Sequence, residues 1–196
     1  TLQLYCDFAG YSLIAVGTAK TLGITICENF NSPLLSSSIA EFWRRWHISL
    51  STWLRDYIYI PLGGNRRGTV RRYVNIMIVF AVSGLWHGAA WTFIIWGLLH
   101  GIMQVASRAL MPVRDRAVKL LHIDRGSFSH RAAKTAATFL LVAFAFSIFR
   151  SPTLKNALLV FSRLKEPRFN YSNCKEPKHN IHGYNTRRYL YNVRHC

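Results

Sequence analysis

The longest uncharged stretch of the chain runs from residue 73 to residue 107. Its 35 residues contain no Asp, Glu, Lys or Arg, whereas about 20 apolar residues are enough to span a bilayer. In its middle, Gly84 and Gly88 bracket the polar residue His87, and glycines of this kind commonly interrupt a helix. The pattern predicts a helix over 73–83, a break at 84–88 and a second helix over 89–107.

Two further segments have a membrane-like pattern. Residues 8–27 carry Lys20 as their only formal charge, and residues 135–149 are uncharged between Lys134 and Arg150. The second is short for a span, but flanking basic side chains can extend toward the interface. We therefore predict an all-α protein with several membrane helices.

Residues 38–60 predict one amphipathic helix that lies in the interface or re-enters the membrane. Ser38 and Glu41 have the spacing of a capping box, and Pro61 follows the end. Glu41 and Arg45 are placed for an ion pair. At 100° per residue, the aromatic and aliphatic side chains fall on one half of the helix: Phe42, Trp43, Trp46, Leu50, Trp53, Leu54, Tyr57 and Ile58.

Three histidines lie in these apolar surroundings. His47 falls within the apolar half of the helix, where it either lines a cavity or is an ordinary buried histidine with a hydrogen-bond partner. His87 lies at the break in the uncharged run; ionisable residues there are functional candidates, and the alternative is an interhelical hydrogen bond. For His100, thirteen residues past His87, we expect a structural role.

Composition and charge narrow the class of protein. The chain is 51% hydrophobic and 17% charged, with a formal net charge of +17, which disfavours both disorder and an ordinary soluble enzyme. A nucleic-acid binder or a membrane protein remains. The basic residues cluster at 37–72 and 108–134, on both sides of the uncharged run, which is typical of cytoplasmic loops. We therefore predict a membrane protein that binds no nucleic acid.

The last residues, 165–196, form a polar basic tail without an apolar run. His179, His182 and His195 lie in it, but their spacing does not repeat a ligand pattern, and we predict no metal site. The four cysteines show no CxxC spacing.

Four segments carry a resemblance to a known family. They are FAGYSLIAVGTAKTLGI at 8–24, ENFNSPLL at 28–35, IAEFWRRWHISLSTWLRDYIYIPLGGNRRG at 39–68 and GLWHGAAWTFIIWGLLHG at 84–101. Together they resemble the membrane-bound O-acyltransferase (MBOAT) family, most of all its bacterial branch of alginate O-acetylases.

The resemblance implies a fold and a location. The chain would be a C-terminal portion of a larger multi-pass protein of the bacterial inner membrane. Residues 1–164 would belong to the acyltransferase domain, and residues 165–196 would be an atypical tail or out of frame.

The resemblance also implies a function. His87, in Trp-His-Gly, matches the essential histidine of the family, and His47 matches a second histidine or asparagine upstream. The enzyme would move acetyl groups toward hydroxyls of an exported polysaccharide such as alginate, with no bound cofactor. The donor would be a cytoplasmic acyl thioester such as acetyl-CoA, and the acceptor the polysaccharide or a periplasmic relay protein. Alternatives are D-alanyl or other acyl transfer to a cell-wall polymer, and a non-catalytic, transporter-like membrane protein.

These two imidazoles suit acyl transfer chemically. A sugar hydroxyl is a poor nucleophile at neutral pH, and a histidine that removes its proton accelerates the attack by roughly 10²–10⁴-fold. The tetrahedral intermediate also needs hydrogen-bond donors at its oxyanion. The sequence leaves open whether His47 supplies such a donor or orients His87.

Overall fold

The computed structural model describes residues 1–163. Within them, the regular secondary structure is helical, which confirms the predicted fold class for this part of the chain. A 3₁₀ turn, Pro33–Leu35, precedes α2, and a π-helical turn, Arg55–Tyr59, follows α3. The α-helices are α1 (Leu2–Thr21), α2 (Ile39–Arg45), α3 (Ile48–Leu54), α4 (Gly68–His87), α5 (Trp91–Ala109), α6 (Met111–Leu120), α7 (Phe128–Arg150) and α8 (Leu154–Arg163).

Helices α4 and α5 form the predicted hairpin, but its turn lies later than the glycines suggested. The break starts at Gly88, with φ +148°, and Gly84 remains helical. A Cβ on Gly84 would lie 2.5 Å from the carbonyl oxygen of Phe93, and one on Gly97 would collide with that of Phe80. Gly84 therefore permits close helix packing and does not end the helix.

Helix α7 packs against α5 in the antiparallel sense. Near its C-terminal end, Phe149 contacts Phe93 and Trp96 in the first half of α5, with ring centroids 4.9 and 5.0 Å apart. The buried core lies between α2, α5 and α7. It consists of Ile39, Phe42, Trp46, Trp96, Val142, Ala145 and Phe146.

This arrangement places most basic segments at one end of the helices. Since α4 and α5 are antiparallel, Arg72 near the start of α4 and Arg108 near the end of α5 lie at the same end. Lys134 lies in the second turn of α7. Because α7 is antiparallel to α5, Lys134 lies toward the same end as Arg72 and Arg108. His87 lies at the opposite end.

The single helix predicted over 38–60 is wrong. Its start is confirmed, because Ser38 Oγ accepts a hydrogen bond from the Glu41 N–H at 3.1 Å, and Glu41 pairs with Arg45 at 2.7 Å. However, α2 ends at Arg45 and α3 begins two residues after Trp46. Between them, His47 has a left-handed backbone with φ +46° and ψ +56°.

Backbone pairing with a distant segment explains this break. Asn31 N–H donates to the Arg45 carbonyl at 3.0 Å, and Ile48 N–H donates to the Asn29 carbonyl at 3.1 Å. These bonds satisfy groups at the break that a continuous helix would have paired internally. The pairing partners lie well upstream in the sequence, so the periodicity of residues 38–60 does not reveal the break.

The predicted apolar half of that helix is only partly buried. Phe42, Trp46, Leu50 and Leu54 are buried, whereas Trp53 is 48% and Tyr57 is 68% exposed. Because the break interrupts the regular turn of 100° per residue, a helical wheel drawn for one continuous helix does not give the buried face of α2 and α3.

The membrane prediction is supported in part. Among residues 1–163, α7 is the one helix that is long and apolar enough by itself to cross a membrane, and α5 qualifies only together with α6, from which it is bent by 50°. Residues 8–21 of the segment predicted over 8–27 lie in α1, and residues 22–27 follow its end. Residues 73–83 lie within α4, and neither α1 nor α4 meets the same criterion.

Contacts group Thr1–Ala157 into one compact unit, and a second unit begins at Leu158. The predicted domain boundary at 164/165, the polar tail and its histidines His179, His182 and His195 lie outside the described residues.

Candidate active site

His47 lies between α2 and α3, in a conformation that few residues other than glycine adopt. A left-handed backbone at a non-glycine residue costs on the order of 1–3 kcal/mol unless its surroundings hold it. Here the paired segment at Asn29 holds it, and Phe8 of α1 packs edge-on to the imidazole with centroids 4.6 Å apart. The break therefore turns the His47 ring away from a helical position and toward α1.

A short polar relay from Asn29 fixes the tautomer of His47. Ser49 Oγ donates to Asn29 Oδ1 at 2.6 Å, and the Ser49 backbone N–H donates to the same oxygen at 3.2 Å. His47 Nδ1 lies 3.4 Å from Ser49 Oγ. Since a hydroxyl has one proton to donate, Ser49 acts toward His47 as an acceptor. Nδ1 then carries the proton, and Nε2 keeps its lone pair.

The charge state of His47 agrees with this assignment. Burial lowers the pKa of His47 to about 4, with a smaller contribution from the neighbouring His87. His47 is therefore neutral at pH 7 and offers Nε2 as a hydrogen-bond acceptor.

His87 is the last residue of α4, and aromatic rings surround it. Trp96 of α5 and Phe149 of α7 are edge-on to its imidazole, with centroid distances of 5.2 and 5.1 Å. Within residues 1–163, no side chain makes a hydrogen bond to the His87 ring. The interhelical hydrogen bond considered from the sequence is thus not formed in this part of the chain.

The two histidines line the same cavity. Trp86 contacts both rings, with centroids 6.1 Å from His47 and 4.9 Å from His87. The cavity measures about 50 Å³, which suits one or two water molecules and not a substrate. Its walls are largely apolar, formed by Leu4, Phe8, Trp43, Trp46, Leu50, Trp96, Phe146 and Phe149.

His100 lies deeper in the bundle and away from this cavity's wall. It is fully buried, and its Nδ1 accepts a hydrogen bond from Trp43 Nε1 at 3.2 Å. This bond connects α2 to α5, in line with the expected structural role, and we keep that role as a prediction.

Sequence reasoning missed the residues that position His47. Ser49 fell on the polar half of the predicted helix, and Asn29 stood in a segment without a periodic pattern. Their roles arise only when residues 29–31 pair with the α2–α3 break. A lone Asn or Ser in the sequence gives no signal of such a contact.

Comparison with known proteins gives a consistent result. A sequence profile described as MBOAT, membrane-bound O-acyltransferase family, matches residues 1–126. The chain is 47% identical over 164 residues to a probable alginate O-acetylase AlgI of Azotobacter vinelandii, covering 84% of this chain and 31% of that protein.

Two other relatives carry different names. A peptidoglycan O-acetyltransferase of Helicobacter pylori is 43% identical over 160 residues, covering 82% of this chain and 29% of the relative. A teichoic acid D-alanyltransferase of Bacillus subtilis is 38% identical over 113 residues, covering 53% of this chain and 28% of the relative. The chain thus spans less than a third of the length of each of these three proteins.

Proposed function

Because the chain belongs to the membrane-bound O-acyltransferase family, we propose that it carries the catalytic histidines of an enzyme that O-acetylates an exported polysaccharide. The observation that supports this most is that His47 and His87, from two separate helix breaks, line one cavity. Acetyl transfer is preferred over D-alanyl transfer because the relatives named for O-acetylation align over 79–84% of the chain, against 53–63% for the D-alanyltransferases. An alginate-like polymer is preferred over peptidoglycan because the alginate relatives are 46–48% identical and the peptidoglycan relative is 43% identical.

In the proposed reaction, His87 is the general base. It takes the proton of the acceptor hydroxyl while that oxygen forms a bond to the thioester carbonyl carbon. The resulting tetrahedral intermediate collapses, the carbon–sulfur bond breaks, and the thiolate leaves with the proton from His87. A positioned base of this kind contributes roughly 10²–10⁴-fold to the rate.

His47 serves in this proposal to orient His87. In the substrate complex its Nε2 would come to accept the N–H of the His87 ring, a hydrogen bond that the described structure does not yet contain. The other His87 nitrogen would then be unprotonated and available to the hydroxyl. When His87 becomes an imidazolium, the same bond stabilises the new charge. The relay from Asn29 through Ser49 supports this role, because it places the proton of His47 on Nδ1. Nε2 can then accept a hydrogen bond but has no proton to donate to an oxyanion.

The orientation in the membrane is also a proposal. Basic residues at the start of α4 and at the end of α5 lie together, and such clusters are enriched on the cytoplasmic side. His87, at the opposite end of α4, would then lie toward the periplasm, where the polysaccharide or a relay protein accepts the acetyl group. The thioester donor would supply that group from the cytoplasm, and the protein would be a multi-pass protein of the inner membrane.

The test replaces His87 in the complete protein that carries these residues. His87→Ala should lower the ester content of the exported polymer by about 10²-fold or more, measured as acetate released by alkali. Protein level in the membrane fraction should not change. The control is His122→Gly, which removes an exposed histidine with a left-handed backbone outside the cavity. Normal ester content in His87→Ala would refute the mechanism.

A further inference from the structure

A second cavity lies at the turn between α6 and α7, away from the histidine pair. It measures about 70 Å³ and is lined by Arg114, Val118, Arg125, His130 and Lys134. Two or three water molecules occupy a similar volume at roughly 30 Å³ each, so a phosphate group is of suitable size. Side chains from α6, from the linker and from α7 converge there.

The charge of this pocket is not balanced within the described residues. Arg125 Nη2 pairs with Asp115 Oδ1 at 2.8 Å, which neutralises one cation. Across residues 1–163, Arg114 and Lys134 have no acidic partner within ion-pair distance. Placing several unpaired cations together is unfavourable unless water or an anion separates them. The pocket therefore has a surplus of two positive charges that an anion would offset.

The surface next to the pocket is apolar and exposed. Leu110, Val113 and Leu121 are 59%, 60% and 66% exposed, and Leu120 and Phe128 reach 80% and 86%. Helix α6 bends by 50° from α5, so it does not continue along the axis of α5. A basic pocket beside exposed apolar side chains matches a lipid, whose phosphate and acyl chains require both.

We propose that the α6–α7 turn binds the phosphate of an anionic phospholipid in the pocket formed by Arg114, Arg125, His130 and Lys134. The lipid's acyl chains then lie against the apolar side chains at Leu120, Leu121 and Phe128. This site is independent of the proposed acetyl transfer. It anchors the end of the α5–α7 pair that lies opposite His87.

The test measures lipid binding to the complete protein in neutral detergent by native mass spectrometry. Short-chain phosphatidylglycerol should bind, and phosphatidylcholine of the same chain length should bind much more weakly. Arg114→Gln/Lys134→Gln should weaken phosphatidylglycerol binding roughly twenty-five-fold, at about a factor of five for each basic side chain. Lys134→Arg should retain binding, because it keeps the charge, and this shows that the pocket tolerates substitution.

Matched controls separate the pocket from general surface charge. Arg116→Gln/Lys119→Gln removes two positive charges as well, both from α6 and outside the pocket, and should leave binding within about a factor of five. Equal losses in the two double variants would overturn the proposal, as would unchanged binding in Arg114→Gln/Lys134→Gln. Glycerol phosphate or inorganic phosphate that competes as strongly as the lipid would assign the pocket to a free phosphate and overturn the lipid assignment.

Discussion

The two helix breaks that hold the histidines are stabilised by different forces. At the α2–α3 break, His47 has φ +46°, and backbone pairing and the Asn29–Ser49 relay fix both its position and its tautomer. At the α4–α5 turn, His87 has an ordinary helical position, and the rings of Trp96 and Phe149 confine it. Hydrogen bonds position one imidazole, and packing positions the other.

The difference fits the two proposed roles, in which His47 orients His87 and His87 acts as the general base. A ring fixed by hydrogen bonds has a defined proton, as an orienting group requires. A ring confined by packing alone can keep one nitrogen free to take up and release a proton, as the proposed general base requires. Each break should therefore respond to a different kind of substitution.

The largest effect is expected from the packing around His87. Trp96 is 1% exposed, and truncating a buried tryptophan typically costs about 3–5 kcal/mol. Trp96→Ala should lower the thermal unfolding temperature in detergent and the yield of monodisperse protein. Trp91→Ala, in the same helix but 71% exposed, is the control. An equal fall in unfolding temperature in both variants would show that the packing of Trp96 against His87 contributes no more to stability than an exposed tryptophan does.

The next effect separates the ring of His47 from its backbone. Glycine adopts the left-handed conformation without strain, so His47→Gly should remove the imidazole and keep the break. Ester content should fall by roughly 10²-fold, whereas the protein level in the membrane should not change. His122→Gly is again the matched control, since His122 also has a left-handed backbone, with φ +48°. Full ester content in His47→Gly would return His47 to an ordinary buried histidine.

A smaller effect is expected at the relay. Asn29→Ala removes the acceptor of two hydrogen bonds from Ser49, and such a bond is worth about 1 kcal/mol net. Acetyl transfer should slow by about tenfold in kcat with KM nearly constant, because the positioning of His47 is lost and not substrate binding. The exposed Asn31→Ala should leave kcat unchanged. A change confined to KM would contradict the positioning role.

The smallest effect lies at the start of α2. The Ser37 backbone N–H, more than its hydroxyl or Arg45, lowers the pKa of Glu41 below its ordinary value of 4.5. The ionised Glu41 carboxylate therefore contributes its full stabilisation of the folded state when the pH is above 4.5. This contribution is lost as the pH falls through the lower pKa of Glu41 in the folded state. Glu41→Gln should cost less than about 1 kcal/mol at pH 7, and the difference should vanish in acid. A difference in unfolding temperature that persists at low pH would contradict this.

The sequence predicted one of the two breaks because its cause is local. Glycines and a histidine within an uncharged run placed the α4–α5 turn within a few residues, although Gly84 turned out to permit close contact with α5. The apolar stretch at 135–149 likewise predicted the centre of α7. These features depend on residues that are neighbours in the chain.

The α2–α3 break was not predictable because its cause is distant. The aromatic and aliphatic positions over 38–60 repeat as in one helix, and only pairing with residues 29–31 interrupts it. For the same reason, the tautomer of His47 could not be predicted from residues 38–60, because Asn29 sets it through Ser49. Both histidines could be named as candidates from the sequence, but the orientation of the His47 ring could not be predicted.

The most direct test of the proposed histidine pair is a double-mutant cycle in the complete protein. Ester content of the exported polymer is measured for His47→Gly, His87→Ala and the two combined, at equal protein levels in the membrane. If His47 acts through His87, the double variant should be scarcely worse than His87→Ala alone, because residues that work as one unit are not additive. Losses that multiply would show that the two histidines act independently and would contradict the account.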